Sequence, residues 1–94
     1  MNKNNILNNL KTLDDLNIQL REQDTVLYWE IDKSTSNIIN ILNKNHTPVF
    51  TKNIINNNLD AIQEVVSEIE LFNTKLSEKM SIIVDKIRQE VRKQ

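Results

Sequence analysis

The chain has 94 residues, enough for one domain with a modest core, and it contains neither cysteine nor glycine. The absence of cysteine excludes disulfide frameworks and thiolate metal sites, and the absence of glycine removes the residue that phosphate-cradling loops need. The net charge is −1 with both signs interleaved along the sequence, so there is no basic stripe of the kind that binds nucleic acid.

The first half of the chain carries an apolar residue on almost every seventh position. One row reads Ile6, Leu13, Leu20, Leu27, Ser34 and Ile41, and the companion row reads Leu10, Asn17, Asp24, Ile31 and Ile38. This spacing is typical of one face of an α-helix, although the companion row is polar in its middle. It predicts helix 1 over about 4–43, with the polar, β-branched run 32–37 as the place where the helix could break or fray.

A connector is predicted at 44–51, where the turn-favouring residues are gathered. It contains the only proline, Pro48, which disfavours helix at the preceding Thr47. Either Thr47 or Thr51 could cap the helix that follows.

Helix 2 is predicted over about 52–92, and its heptad pattern is cleaner. One row contains Ile55, Ile62, Ile69, Leu76 and Ile83, and the other contains Leu59, Val66, Asn73, Met80 and Ile87. At about 1.5 Å per residue, each helix would be on the order of 60 Å long. The expected fold is therefore all-α: a hairpin of two long amphipathic helices forming a single domain over 1–94.

Such a hairpin is expected to associate with helices from other protein subunits, as a hetero-oligomer. Further apolar residues lie off the main rows, and a single hairpin cannot cover all of them; they include Leu7, Leu16, Tyr28, Trp29, Leu42, Val65, Leu71, Phe72, Ile82 and Val84. The predicted partner-binding residues are Trp29 and, on helix 2, Ile55, Leu59, Ile62, Val66, Ile69, Phe72, Asn73, Leu76, Met80, Ile83 and Ile87.

Two of these residues have alternative interpretations. Asn73 is the one polar residue in the double row of helix 2, where a buried Asn can fix the register between helices; alternatively, it turns to the edge while Phe72 takes the core position. Trp29 lies opposite the main row of helix 1 and is either a partner anchor or buried in a shifted hairpin.

No arrangement of residues predicts catalysis, a cofactor or a metal. His46 is the only histidine, and the acidic neighbours Asp14–Asp15 and Glu68/Glu70 are too close in sequence to face one another on a helix. We therefore expect a non-enzymatic protein.

A cytoplasmic location is expected, because no stretch approaches the roughly 18 apolar residues of a membrane span and the polar N-terminus does not resemble a secretory leader. Peripheral contact with acidic lipids through the C-terminal Lys86, Arg88, Arg92 and Lys93 is possible, although such residues more often complement a helix dipole.

Two families of short helical proteins share features with this chain. Helix 2, with Leu59-Asp60-Ala61-Ile62 followed by Val66, Ile69, Phe72 and Leu76, resembles the last helix of small subunits of the complex for biogenesis of lysosome-related organelles (BLOC) and of its lysosome-positioning relative. The stretch Leu20-Arg21-Glu22-Gln23 is also similar to theirs. This resemblance implies a coiled-coil subunit of an assembly in endosomal or lysosomal organelle biogenesis and vesicle trafficking.

The alternative resemblance is to flagellar, or type III, export chaperones. Trp29-Glu30 and the long helix from Leu59 onward look like the early Trp and amphipathic helix of that family, but the apolar spacing expected just after the Trp is missing. This resemblance implies a chaperone that shields an amphipathic helix of its client. Neither family supplies catalytic residues.

Overall fold

The computed structural model describes residues 1–93, and every regular element over that range is an α-helix. The helices are α1 (Lys3–Arg21), α2 (Thr25–Leu42), α3 (Pro48–Ile69) and α4 (Thr74–Arg92). The all-α prediction is confirmed. The prediction of two long helices is wrong, because each of them is divided in two by a tight turn.

The two turns, at 22–24 and 70–73, are built in the same way. In the first, the backbone N–H groups of Gln23 and Asp24 donate to Leu20 O at 2.9 and 2.8 Å. In the second, those of Phe72 and Asn73 donate to Ile69 O at 3.0 and 2.7 Å. In each turn, one carbonyl at the end of a helix therefore accepts two backbone N–H groups, and the chain reverses direction without a glycine.

Asp24 and Asn73 start the helices that follow the turns. The backbone of Asp24 is extended and that of Asn73 is non-helical, and their side-chain oxygens accept the backbone N–H of Leu27 at 3.0 Å and of Leu76 at 3.1 Å. An Asp or Asn in this position satisfies a helix N–H that has no partner within the helix. Asp24 and Asn73 are thus N-caps, whereas the other two polar residues of the heptad rows, Asn17 and Ser34, are buried.

The predicted weak run 32–37 is instead continuous helix inside α2. Thr35 is buried there, and its hydroxyl donates to Asp32 O at 2.9 Å, so this polar side chain is satisfied without breaking the helix. At the connector, Thr47 rather than Thr51 is the cap. Its Oγ1 accepts Phe50 N–H at 3.3 Å, and Pro48 occupies the first turn of α3.

The four helices form an up-down-up-down bundle, in which each packs on the next and α4 packs on α1. The molecule measures 39 × 20 × 19 Å, so it is much shorter than the rods of about 60 Å that two unbroken helices would make. Both tight turns lie at one end, which we call the turn end. The chain termini and the α2–α3 connector lie at the other end, which we call the terminal end.

The heptad rows of both halves form the core of this single bundle. Of the 21 positions in the four rows, 19 are buried, and the two exceptions are the caps Asp24 and Asn73. The rows continue across both turns because each turn brings the next helix back with its apolar face toward the same core. Completion of the fold by helices from other subunits stays a prediction.

We predict that Asn73→Leu lowers the free energy of unfolding by about 1 kcal/mol, because it removes the cap of α4. The substitution also removes the bond from Asn73 Nδ2 to Gln23 Oε1, which joins the two turns at 3.0 Å. Urea unfolding would measure the change, with the exposed Asn57→Leu as the matched control. A gain in stability on Asn73→Leu would support the alternative, a polar interruption of a continuous seam.

Candidate functional site

The structure separates the predicted partner-binding residues into a buried set and an exposed set. The buried set faces the core of the bundle, and none of its members is more than 8% exposed: Ile55, Leu59, Ile62, Val66, Ile69, Leu76, Met80, Ile83 and Ile87. Their neighbours are the other helices of the same chain. Their contact with a partner stays a prediction, and it would require the bundle to open.

Trp29 and Phe72 remain accessible, with 56% and 49% of their surfaces exposed. Trp29 is therefore not buried within the bundle, Phe72 does not take a core position, and the role of Trp29 as a partner anchor stays a prediction. Asn73 lies at the adjacent turn as a cap, so it does not set the register from a core position.

Trp29 lies in the first two turns of α2 and packs against the neighbouring Tyr28. Its ring meets that of Tyr28 edge to face, with 5.1 Å between the ring centroids, and the guanidinium of Arg21 lies 5.5 Å from the centre of the Tyr28 ring. The Tyr28 carbonyl also accepts Asn17 Nδ2 at 3.1 Å. Because Leu27 and Ile31 face the core, Trp29, which lies midway between them in sequence, points away from it.

Exposed apolar side chains are concentrated at the turn end. Eight large apolar residues are exposed in the described part of the chain, and five of them lie at the turns or within two helical turns of them. We call these five the turn-end patch: Ile18 (61%), Val26 (68%), Trp29 (56%), Leu71 (87%) and Phe72 (49%). Val49 and Phe50 lie at the terminal end, and Ile82 lies halfway along α4.

The fold also separates the charges that are interleaved in the sequence. When each helix is divided at its midpoint, the half of the bundle at the turn end contains eleven of the thirteen acidic residues and four of the twelve basic ones, a formal charge of −7. The half at the terminal end contains the other two acidic and eight basic residues, a formal charge of +6. The net charge of −1 hides this separation.

Sequence reasoning missed the turn-end patch because it missed the turns. The signal was present twice: Asp24-Thr25-Val26-Leu27 and Asn73-Thr74-Lys75-Leu76 share a capping residue, a threonine and a leucine three positions after the cap, 49 residues apart. Reading both as helix starts would have placed Leu71, Phe72 and Val26 at one end of a bundle.

The clefts between helices are open and have mixed polar and apolar linings. One, of about 480 Å³, lies between α2 and α3 and is lined by Glu30, Lys33, Glu64 and Glu68 among others. A second, between the same helices near the connector, contains His46, whose ring lies 4.9 Å from that of Phe50. Within residues 1–93, no three carboxylate or imidazole side chains come together as a metal site would require.

The chain termini meet at a small polar junction. The Met1 ammonium donates to Lys93 O at 2.9 Å, and Glu90 accepts the Asn2 backbone N–H at 3.0 Å and Lys93 Nζ at 3.2 Å. Partial burial acts to raise the pKa of Glu90, but the hydrogen bonds from Lys93, Asn2 and Asn5 outweigh it, and the pKa is lowered overall. The predicted lipid contact of the basic C-terminal residues stays a prediction; one of them, Arg88, pairs with Asp60 at 2.7 Å.

Two polar side chains of α1 face unfavourable surroundings. Asn17 is 1% exposed, and its Oδ1 is buried with no hydrogen-bond partner. Burial, followed by repulsion from Asp32, raises the pKa of the Asp14 carboxyl, although the Thr35 hydroxyl at 3.4 Å partly opposes this. We expect the consequences of both residues to be seen in their effect on stability.

Comparison of the chain with protein-family models, with curated proteins and with solved structures found no match. The two family resemblances therefore stay predictions. No helix within the described range has both the length and the apolar character needed to cross a bilayer.

We predict that Asn17→Leu raises the free energy of unfolding by about 1 kcal/mol, because it removes a buried oxygen without a partner and adds apolar contact in the core. Denaturant unfolding would measure the gain. Asn8→Leu, at an exposed position of the same helix, should change stability by no more than about 0.5 kcal/mol. A loss of stability in Asn17→Leu would show that the bond to Tyr28 O outweighs the unpaired oxygen.

We also predict that Asp14→Asn stabilises the protein at neutral pH and that the gain disappears in acid. Since the pKa of Asp14 is higher in the folded state, its ionised form opposes folding above that pKa. As the pH falls through the folded pKa and then below the unfolded value of about 3.9, wild-type Asp14 becomes neutral and the difference vanishes. Unfolding at a series of pH values would measure it, with the exposed Asp15→Asn as the control. A constant difference down to the lowest pH would contradict the prediction.

Proposed function

We propose that this chain is a non-enzymatic protein-binding module of the adaptor or chaperone type, which folds alone and binds its partner through its outer surface. The observation that carries the proposal is the burial of the four heptad rows within one chain. A partner is therefore not needed to cover them. The surface left for binding is the exterior, where the turn-end patch is the largest group of exposed apolar side chains.

The exposed aromatic residues and the nature of the clefts also favour binding over catalysis. Exposed aromatic residues such as Trp29 and Phe72 are common anchors in protein interfaces. The clefts, by contrast, are open and contain neither a paired nucleophile and base nor enclosed carboxylates, which are the arrangements that covalent or acid–base catalysis uses. A chaperone for an amphipathic client helix and an adaptor in a trafficking complex are both compatible with this proposal.

The second candidate is a permanent subunit of a hetero-oligomeric assembly, in endosomal or lysosomal trafficking if the BLOC resemblance holds. The exposed apolar side chains favour it, because five of them share one end and a monomer gains nothing from leaving them in water. In this candidate, however, the heptad rows would have to be shared between chains, or the bundle would have to dock as a folded unit.

Circular dichroism and light scattering of the isolated chain over a roughly hundredfold dilution distinguish a chain that folds alone from a subunit whose heptad rows are shared between chains. We expect constant helicity and the mass of a monomer, because the core is complete in one chain. Helicity and mass that fall together on dilution would overturn the proposal in favour of an obligate assembly. Ile69→Asp, in the core, should abolish cooperative unfolding, whereas Ser67→Asp, at an exposed position of the same helix, should preserve it.

A further inference from the structure

We infer that the turn end of the bundle binds a basic amphipathic helical segment of another protein, with the turn-end patch covering the apolar stripe of that segment. This inference rests on the proposed function, since it assumes a folded monomer whose exterior binds. It is based on two independent features of the same end, exposed apolar side chains and a surplus of acidic charge.

The apolar side chains of the turn-end patch lie at the two turns or close to them in the adjoining helices. The bond between Asn73 Nδ2 and Gln23 Oε1 joins the two turns directly, so Leu71 and Phe72 lie beside the start of α2. On the flank, the bond between Asn17 and the Tyr28 carbonyl places the next residues along the chain, Ile18 and Trp29, at the same level of the bundle. The patch thus extends from the end of the bundle down the side formed by α1 and α2.

Acidic side chains surround this patch. Glu22, Glu30, Glu68 and Glu70 are exposed, and Asp24 is half-buried as the cap of α2. The helix dipoles do not offset these charges, because two helices begin and two helices end here. A partner that covers the patch binds at the end of the bundle that has the acidic surplus, so basic residues beside its apolar stripe are favoured and acidic ones are repelled.

A second copy of this chain has a basic end and would match in charge, but its geometry fits poorly. Stacking end on end offers a cross-section of only 20 × 19 Å, whereas a standard interface buries about 800 Å² on each partner. It would also leave Ile18 and Trp29 on the flank uncovered, and repeated stacking would build open filaments and not a closed oligomer. A helical segment that lies across the edge between the end and the flank can contact both parts of the patch.

Trp29 allows the inference to be tested directly, because it is the only tryptophan and lies in the patch. The probe is a synthetic amphipathic helix of lysine and leucine with a fluorescent label. Two controls accompany it: the same composition in an order without an apolar stripe, and a version with glutamate in place of lysine. We expect the first peptide to shift Trp29 emission to the blue and to bind at least about tenfold more tightly than either control. Its binding should weaken as salt is added.

Variants of the full chain locate the binding site. Leu71→Ser combined with Phe72→Ser should weaken binding at least about tenfold, whereas Val49→Ser, an exposed apolar residue at the terminal end, should leave it unchanged. Glu68→Lys combined with Glu70→Lys should weaken binding and reduce its dependence on salt. Circular dichroism of each variant checks that the bundle is intact, and these positions are exposed, so folding should be retained.

Several results would overturn the inference. They are failure of the wild-type chain to bind the basic amphipathic peptide, equal binding of either control peptide, or equal effects of the Val49 and Leu71/Phe72 variants. A mass that rises with protein concentration and returns to that of a monomer in Glu68→Lys would identify a second copy as the occupant. If the chain is a folded monomer on dilution but does not bind the peptide, the inference fails while the proposed function stands.

Discussion

Burial of the heptad rows against one another is the interaction on which the rest of the structure depends. Two unbroken helices would leave half of each apolar stripe facing water, whereas four shorter helices enclose the rows on all sides. The two tight turns make that possible, and they do so with backbone hydrogen bonds to Leu20 and Ile69 and with the caps Asp24 and Asn73. The capping bonds are individually modest, but they decide which side chains reach the core and which remain on the surface.

The two halves of the chain each contain a side-chain to backbone hydrogen bond between their two helices, at equivalent positions 49 residues apart. In the first hairpin, Asn17 donates from its side chain to the carbonyl of Tyr28; in the second, Ser77 donates to the carbonyl of Val66 at 2.9 Å. With a shift of 49 residues, Tyr28 corresponds to Ser77 and Asn17 corresponds to Val66. The same two positions are therefore hydrogen-bonded in both hairpins, but the side chain that donates belongs to the first helix in one hairpin and to the second helix in the other. The difference is that Ser77 is fully satisfied, whereas Asn17 keeps a second polar atom without a partner. The first hairpin is therefore the less well satisfied of the two.

The sequence predicted the core well and the path of the chain poorly, for the same physical reason. Heptad spacing reports which residues face an apolar environment, and Leu20 with Leu27 or Ile69 with Leu76 keeps that spacing across a turn as well as along a helix. Periodicity alone cannot distinguish these cases. Local chemistry can, since an Asp or Asn followed by Thr in an otherwise apolar row favours a cap over a core position. The run 32–37 was misleading in the opposite sense, because Thr35 bonds to its own helix and Ser34 is simply buried.

The candidate site could not be read from the sequence because it exists only once the four helices alternate in direction. Acidic residues from 14–32 and 60–78 lie far apart along the chain, and the fold brings them to one end, while the lysines and arginines near the termini and the connector gather at the other. A bundle that alternates in direction converts a charge pattern along the sequence into a charge difference between its ends. In the proposed binding mode, such a field would orient an approaching charged partner before contact, and the apolar side chains at the acidic end would supply the contact itself. Neither feature stabilises the monomer, which is the physical reason to assign both to binding.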